Sequence, residues 1–250
     1  MTTDFRSDIR DAFDQPARVR VQSGREPFAP RSAGARAAAR RRLMVRATCL
    51  VAAAIALFGL TARPARADIS TPDAFVQKIS TETLDKIKAD KDIQAGNPKK
   101  LSELVDSTIM PAVNFERMTA LAVGRSWRQA SPDQQKQLMA QFRILLLRTY
   151  SGALQNVGDQ QIRMKPFRGD PKDTEVVVRS EVVAKQGDPI QLDYRLERAG
   201  DSWKIYDLNV LGVWLVDNYR NQFQQEISAK GIDGLIQSLT DKNKQFAAKT

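Results

Sequence analysis

Beyond residue 49 the chain contains no cysteine, and it contains no histidine anywhere. A fold made from such a stretch has neither a disulfide nor a Cys-His metal site to hold it, so it must stand on buried apolar surface. The same absence removes Ser-His-Asp and Cys-His catalysis and any histidine general base. Chemistry, if there is any, falls to carboxylates, amines and hydroxyls.

Composition divides the 250 residues into three parts. Residues 1–43 are rich in Arg, Ala, Ser and Pro without a sustained apolar period. They hold too little apolar surface to offset their ordering entropy, and read as a disordered extension or an untranslated upstream segment. Residues 44–67 read as a signal peptide. Met44 opens a short basic start, Ala47–Leu60 is too short to span a bilayer comfortably, and Ala65-Arg66-Ala67 is a small-x-small site that predicts cleavage after Ala67. Arg40-Arg41-Arg42 allows a twin-arginine signal as the alternative. Cys49 lies ahead of the most apolar part, in a poor lipobox, which argues against a lipid anchor.

The leader also carries the charge. Thirteen of the 39 Lys/Arg but only 5 of the 29 Asp/Glu lie in residues 1–67, so residues 68–250 hold 26 basic against 24 acidic side chains. A nearly neutral mature chain carries no nucleic-acid footprint.

Residues 68–250 read as one domain. Thr71-Pro72 places an N-cap before a proline, and Phe75, Val76, Ile79, Thr83 and Ile87 recur at helical spacing to about Ala89. Asn97-Pro98 repeats the device, Pro111 stops that segment, and a short helix runs from Asn114 to Gly124. Ser131-Pro132-Asp133-Gln134 is a capping box that should start the longest helix, Pro132 to Val157. The period then changes. Gln161–Met164 and Thr174–Lys185 look extended, and Ile190, Leu192, Tyr194 and Leu196 alternate with polar residues. Gly187-Asp188-Pro189 and Gly200-Asp201-Ser202 mark turns of an antiparallel meander whose last strand is Trp203–Val210. Beyond Gly212, helical spacing returns at Val213, Val216, Tyr219, Phe223 and Ile227, with Gly231 placed to cap the end and a last helix after it. Helices, a meander, then helices predict an α+β domain with helices on one face of a curved sheet.

Candidate chemistry is sparse. Glu175, Glu181, Asp193 and Asp207 fall on or near strands, but alternation assigns Glu181 and Asp193 to solvent. No phosphate loop, H-E-x-x-H or nucleophile elbow is present, and no cofactor or metal is expected. Apolar surface is in surplus instead. Leu145-Leu146-Leu147 widens the long helix's stripe beyond one packing face, Val176–Val178, Val182 and Val183 occupy both faces of their strand, and Tyr150, Tyr194, Tyr206, Trp214 and Tyr219 gather near one junction. Such side chains make either core or a pocket with an apolar body and a wet mouth.

Trp203-Lys204-Ile205-Tyr206-Asp207 followed by Gly212-Val213-Trp214-Leu215-Val216-Asp217-Asn218-Tyr219-Arg220, with Pro111–Phe115, Gly124-Arg125-Ser126-Trp127, Phe142, Tyr150 and Tyr194 upstream, resembles the MlaC (toluene tolerance) family of periplasmic phospholipid-binding proteins. The likeness covers nearly all of residues 68–245. It implies a helix-wrapped, strongly curved antiparallel sheet enclosing an apolar cavity, similar to cystatin-like and nuclear-transport-factor-like folds. It further implies a monomeric, non-enzymatic periplasmic carrier of phospholipid between an outer-membrane lipoprotein–porin complex and an inner-membrane ABC transporter with its MCE-domain subunit. The lipid-binding wall is expected at Phe115, Met118, Leu121, Leu146, Tyr150, Tyr194, Tyr206, Val210, Val213, Val216 and Tyr219, with Arg148 and Arg220 near the headgroup. Trp214 departs from the family pattern, which has a small polar residue there, and is expected to narrow the cavity. The competing reading is a secreted enzyme or small-ligand binder on a similar fold.

Overall fold

A computed structural model describes residues 71–155, 157–170 and 172–248. The expectations for residues 1–43 and 44–67, the cleavage after Ala67, and Cys49 lie outside those residues.

Helix α1 is Pro72–Ala89, started by Pro72 at its first turn. Thr71 sits at the N-cap with an extended backbone but makes no side-chain cap, unlike the sequence expectation. A single turn, α2 (Lys91–Gln94), is capped by Asp90, whose carboxylate accepts from the Asp92 and Ile93 amides. Asn97 caps α3, Pro98–Leu104, in the same way. This helix does not simply stop at Pro111. It widens into a π-helical turn, Val105–Ile109, and tightens to a 3₁₀ turn at Met110–Ala112. Helix α4 (Phe115–Val123) ends at Gly124, which takes φ 67°. The capping box forms as the sequence predicts: the Ser131 amide donates to Gln134 Oε1 (2.9 Å) and the Gln134 amide to Ser131 Oγ (3.2 Å). Behind it runs α5, Pro132–Gln155, a rod of roughly 36 Å at 1.5 Å per residue.

Five antiparallel strands follow in sequence order: β1 (Gln161–Met164), β2 (Glu175–Val183), β3 (Ile190–Ala199), β4 (Ser202–Val210) and β5 (Val213–Trp214). The sheet is curled but not closed. Val210 pairs Val213 across a two-residue turn in which Leu211 (φ 53°) and Gly212 (φ 91°) both adopt positive φ, as tight hairpins of this twist require. The predicted helix after Gly212 therefore starts two residues late. Helix α6 spans Leu215–Ala248 and is broken at Gly231 (φ 72°, ψ −175°), so that glycine ends one helical stretch and a last one follows it, as the sequence predicts.

A β-bulge sets which side chains of β4 face inward. Arg195 pairs Asp207 while Leu196 pairs Ile205, leaving Tyr206 as the extra residue. Strict alternation from Trp203 and Ile205 would carry Asp207 and Asn209 inside. The bulge resets the phase, so Leu208 and Val210 take the inner face and Asp207 joins Arg195 outside.

Packing divides the apolar residues into groups. Phe142 of α5 is the hub of the helical core, with ring centroids 4.9 Å from Tyr219, 5.2 Å from Phe223 and 5.8 Å from Phe115. Val76 of α1 packs with Val176, Val178, Tyr194, Leu196, Trp203 and Ile205 on the inner face of the sheet. Ile87 closes the other end of α1 against Leu101, Leu104 and Val157. Helix α1 is thus held at both ends, and its middle bridges the space between sheet and helices.

Candidate functional site

That space is not filled. A cavity of about 360 Å³ lies between α1, the π-helical turn, α4, α5 and the inner face of the sheet. Its size falls within the roughly 300–1,000 Å³ usual for ligand pockets. Helix α1 contributes Ile79, Thr83 and Leu84, the roof Val105, Ile109 and Met110, and the sheet Ile162, Val182, Leu192, Ile205 and Leu208. Helix α5 supplies Leu146, Leu147, Tyr150 and Leu154, so the broad leucine stripe has two uses: Leu145 goes into the core and its neighbours line the hollow.

The wall phenols are held by neighbouring hydroxyls. Tyr194 Oη lies 3.4 Å from both Ser80 Oγ and Ser180 Oγ, and the Tyr150 hydroxyl pairs with that of Tyr219. Burial pushes both wall phenols above the usual tyrosine range, so they stay neutral at any physiological pH. Arg143 is the charged side chain among the described lining residues. No group of three Asp, Glu, His or Cys that could hold a metal is found among the described residues.

Of the residues expected to form the wall, Phe115, Met118, Leu146, Tyr150 and Tyr194 line this cavity. The others do not. Leu121, Val216 and Tyr219 pack in the helical core, because α6 docks mainly on α4 and α5 and meets the hollow at Leu215. Val210 joins a small cluster with Ala153, Val182 and Ile190, and Val213, in β5 rather than a helix, is 37% exposed. Tyr206, next to the inward-facing Ile205, lies on the outer face, with its ring 3.8 Å below the Arg117 guanidinium and its hydroxyl donating to Glu175 Oε2 at 3.0 Å. Trp214 does not narrow the cavity either. It pairs with Asn209 on the outer face and lies 3.8 Å beneath the guanidinium of Arg195. Arg148 donates to the Asn243 carbonyl and Arg220 to the Leu121 carbonyl (2.9 Å), so both brace helices away from the cavity.

The W-K-I-Y-D and G-V-W-L-V-D segments work as a structural corner. Asp207, fully buried, accepts from the Val216 amide (3.0 Å), its neighbour Leu208 (2.9 Å) and Arg195 (2.8 Å), tying the first turn of α6 to β4. Burial raises its carboxyl above the ordinary aspartate value, against those hydrogen bonds and the arginine. The inner face of α1 and the π-helical roof are wall elements that the sequence reading missed. The helical recurrence of Ile79, Thr83 and Ile87 was the available signal, but it cannot tell a core face from a cavity face.

Several known proteins share this architecture. The chain is similar to toluene tolerance protein ttg2D of Pseudomonas putida, 26% identical over 164 residues that make up 65% of this chain and 76% of that protein. It is 24% identical over 189 residues to the intermembrane phospholipid transport system binding protein MlaC of Haemophilus influenzae, covering 74% of this chain and 88% of that one. A solved structure of the phospholipid-binding protein of Ralstonia solanacearum, in complex with a phospholipid, aligns with a TM-score of 0.68 and 46% identity over 70% of this chain and 98% of its own. The MlaC protein family model matches residues 77–241, most of the described chain, and the chain belongs to that family.

Proposed function

We propose that the protein is a carrier that holds phospholipid by its acyl chains in the cavity between α1, α5 and the sheet. The cavity itself carries this reading. Its walls are almost wholly aliphatic and aromatic, and the Ser80, Thr83 and Tyr194 hydroxyls are taken up by protein partners, so a hydrocarbon chain finds contacts there that water does not. At about 24 cal/mol per Å³, 360 Å³ left empty would cost up to about 9 kcal/mol, close to the whole stability of an ordinary domain. The 46%-identical Ralstonia protein was solved with a phospholipid bound.

Each methylene exposed to water costs about 0.8 kcal/mol, so acyl chains need a shielded route across an aqueous gap. A carrier of this kind works in the periplasm, is exported with cleavage after Ala67, and exchanges lipid with an outer-membrane lipoprotein–porin complex on one side and an inner-membrane MCE-domain ABC transporter on the other. It acts as a monomer, needs no cofactor and performs no catalysis. Direction follows from differential lipid affinity at the two complexes. Native mass spectrometry of purified material, followed by solvent extraction, tests the proposal: a co-purifying two-chain phospholipid supports it, and a protein whose cavity accepts none from vesicles refutes it.

A further inference from the structure

The roof of the cavity is held in an unusual way. The π-helical turn Val105–Ile109 adds girth where Val105 and Ile109 face the hollow, and such turns occur frequently at functional sites. Cations from two neighbouring helices hold it. Arg143, on α5, donates to Ser102 Oγ (3.0 Å) and to the Asp106 carboxylate; Lys86, on α1, donates to Thr108 Oγ1 (2.8 Å). Arg143 also lines the cavity. Its side chain is 22% exposed and that of Asp106 is 56% exposed, so the guanidinium stands at a rim with hydrocarbon on one side and water on the other.

We infer that Arg143 binds the phosphate of the cavity-bound lipid and gives up Asp106 to do so. The inference rests on the carrier reading above. A lipid whose chains fill this hollow has to leave its phosphodiester at an edge, because an anion drawn among the aliphatic walls would lose its hydration. The guanidinium at that edge presents paired N–H donors in the plane that suits two phosphate oxygens. Arg148 and Arg220, the other arginines considered for this role, are engaged with backbone carbonyls elsewhere. Asp106 is a placeholder that keeps the half-buried cation paired when no phosphate is present. Its pair with Arg143 is solvated enough to exchange readily, and the freed carboxylate has water to turn into. Since the Arg143–Asp106 pair ties α5 to the roof, a phosphate that takes over Arg143 also releases the roof on that side.

The test loads stripped protein from vesicles containing phosphatidylglycerol and diacylglycerol with identical chains, and reads the ratio of the two bound lipids by native mass spectrometry. Arg143→Gln should lower the phospholipid-to-diacylglycerol ratio about ten-fold while diacylglycerol loading persists. Asp106→Asn, which removes the competing carboxylate, should raise the ratio. Diacylglycerol loading serves as the fold control, and if Arg143→Gln does not fold the Asp106→Asn ratio decides. An unchanged ratio in Arg143→Gln, or a lowered one in Asp106→Asn, overturns the assignment. Wild-type protein that loads neither lipid overturns the carrier reading instead. Inorganic phosphate titrated alone into stripped protein should give no Arg143-dependent heat. A saturable, Arg143-dependent isotherm would assign the site to a free anion and overturn the headgroup assignment.

Discussion

Removing the lipid should destabilise the protein by an amount set by the hollow it leaves. The upper figure is the roughly 9 kcal/mol of a rigid, empty 360 Å³ void. The cavity opens at a rim, and α1 is anchored mainly through its ends, by Val76 and Ile87, so the walls can close in and recover part of the loss. If they recover two thirds, about 3 kcal/mol remains, and for a domain of this size that corresponds to a fall in Tm of about 6–12 °C. The assay is differential scanning calorimetry on three samples: protein as purified with its lipid, protein stripped by organic extraction and refolded, and stripped protein reloaded from phospholipid vesicles. The loaded and reloaded samples should melt together, above the stripped one, and the difference should grow with free lipid concentration as linkage demands. Leu146→Trp, which places a larger ring in the cavity, should raise the Tm of the stripped protein and lower its lipid load at the same time. Equal melting of loaded and stripped protein, with lipid removal verified by mass spectrometry, would refute the reasoning, because the walls would then have no need of a guest.

Other substitutions separate the cavity from the core. Leu147→Glu puts a charge into the hollow and should abolish lipid retention in a protein that still shows native circular dichroism. Phe142→Ala, at the fully buried hub of the helical core, should instead cost about 3–5 kcal/mol in chemical denaturation. Gly231→Ala should cost about 1–3 kcal/mol although nothing lies within 4 Å of the added methyl, since the φ 72°, ψ −175° conformation there is one that only glycine adopts easily. The Arg117 hydrogen bond, helped by that of Tyr206, holds the Glu175 carboxyl below the ordinary glutamate value against the effect of burial. A depressed folded-state value means that its stabilisation is present above the unfolded pKa of about 4.3 and is lost as pH falls through the lower folded value. Glu175→Gln should therefore flatten the loss of stability below about pH 4, measured as the urea midpoint against pH.

What the sequence determined by itself is local. The proline and capping signals at Pro72, Asn97 and Ser131, the alternation of Ile190 through Leu196 and the glycine turns follow from backbone sterics and hydrogen bonding within a few residues. They are legible without knowing the neighbours, and with the family resemblance they were enough for an α+β fold around a hollow. Side-chain placement across elements was decided only by the tertiary structure. One extra residue at Tyr206 reverses the facing of the rest of β4, which keeps Asp207 outward and turns Leu208 inward, and no property of the tyrosine itself announces this. Leu145 and Leu146 are chemically the same side chain on adjacent positions of one helix. One is fully inside Phe142's cluster, and the other packs at its edge and faces the cavity, because α1 and the sheet stand off from α5 where α6 does not. Arg143 and Arg148 likewise differ only by the partner that the fold brings to each, a rim aspartate for one and a backbone carbonyl of α6 for the other. Apolar periodicity records that a face is hidden from water, but a packed neighbour and a bound hydrocarbon chain hide it equally well.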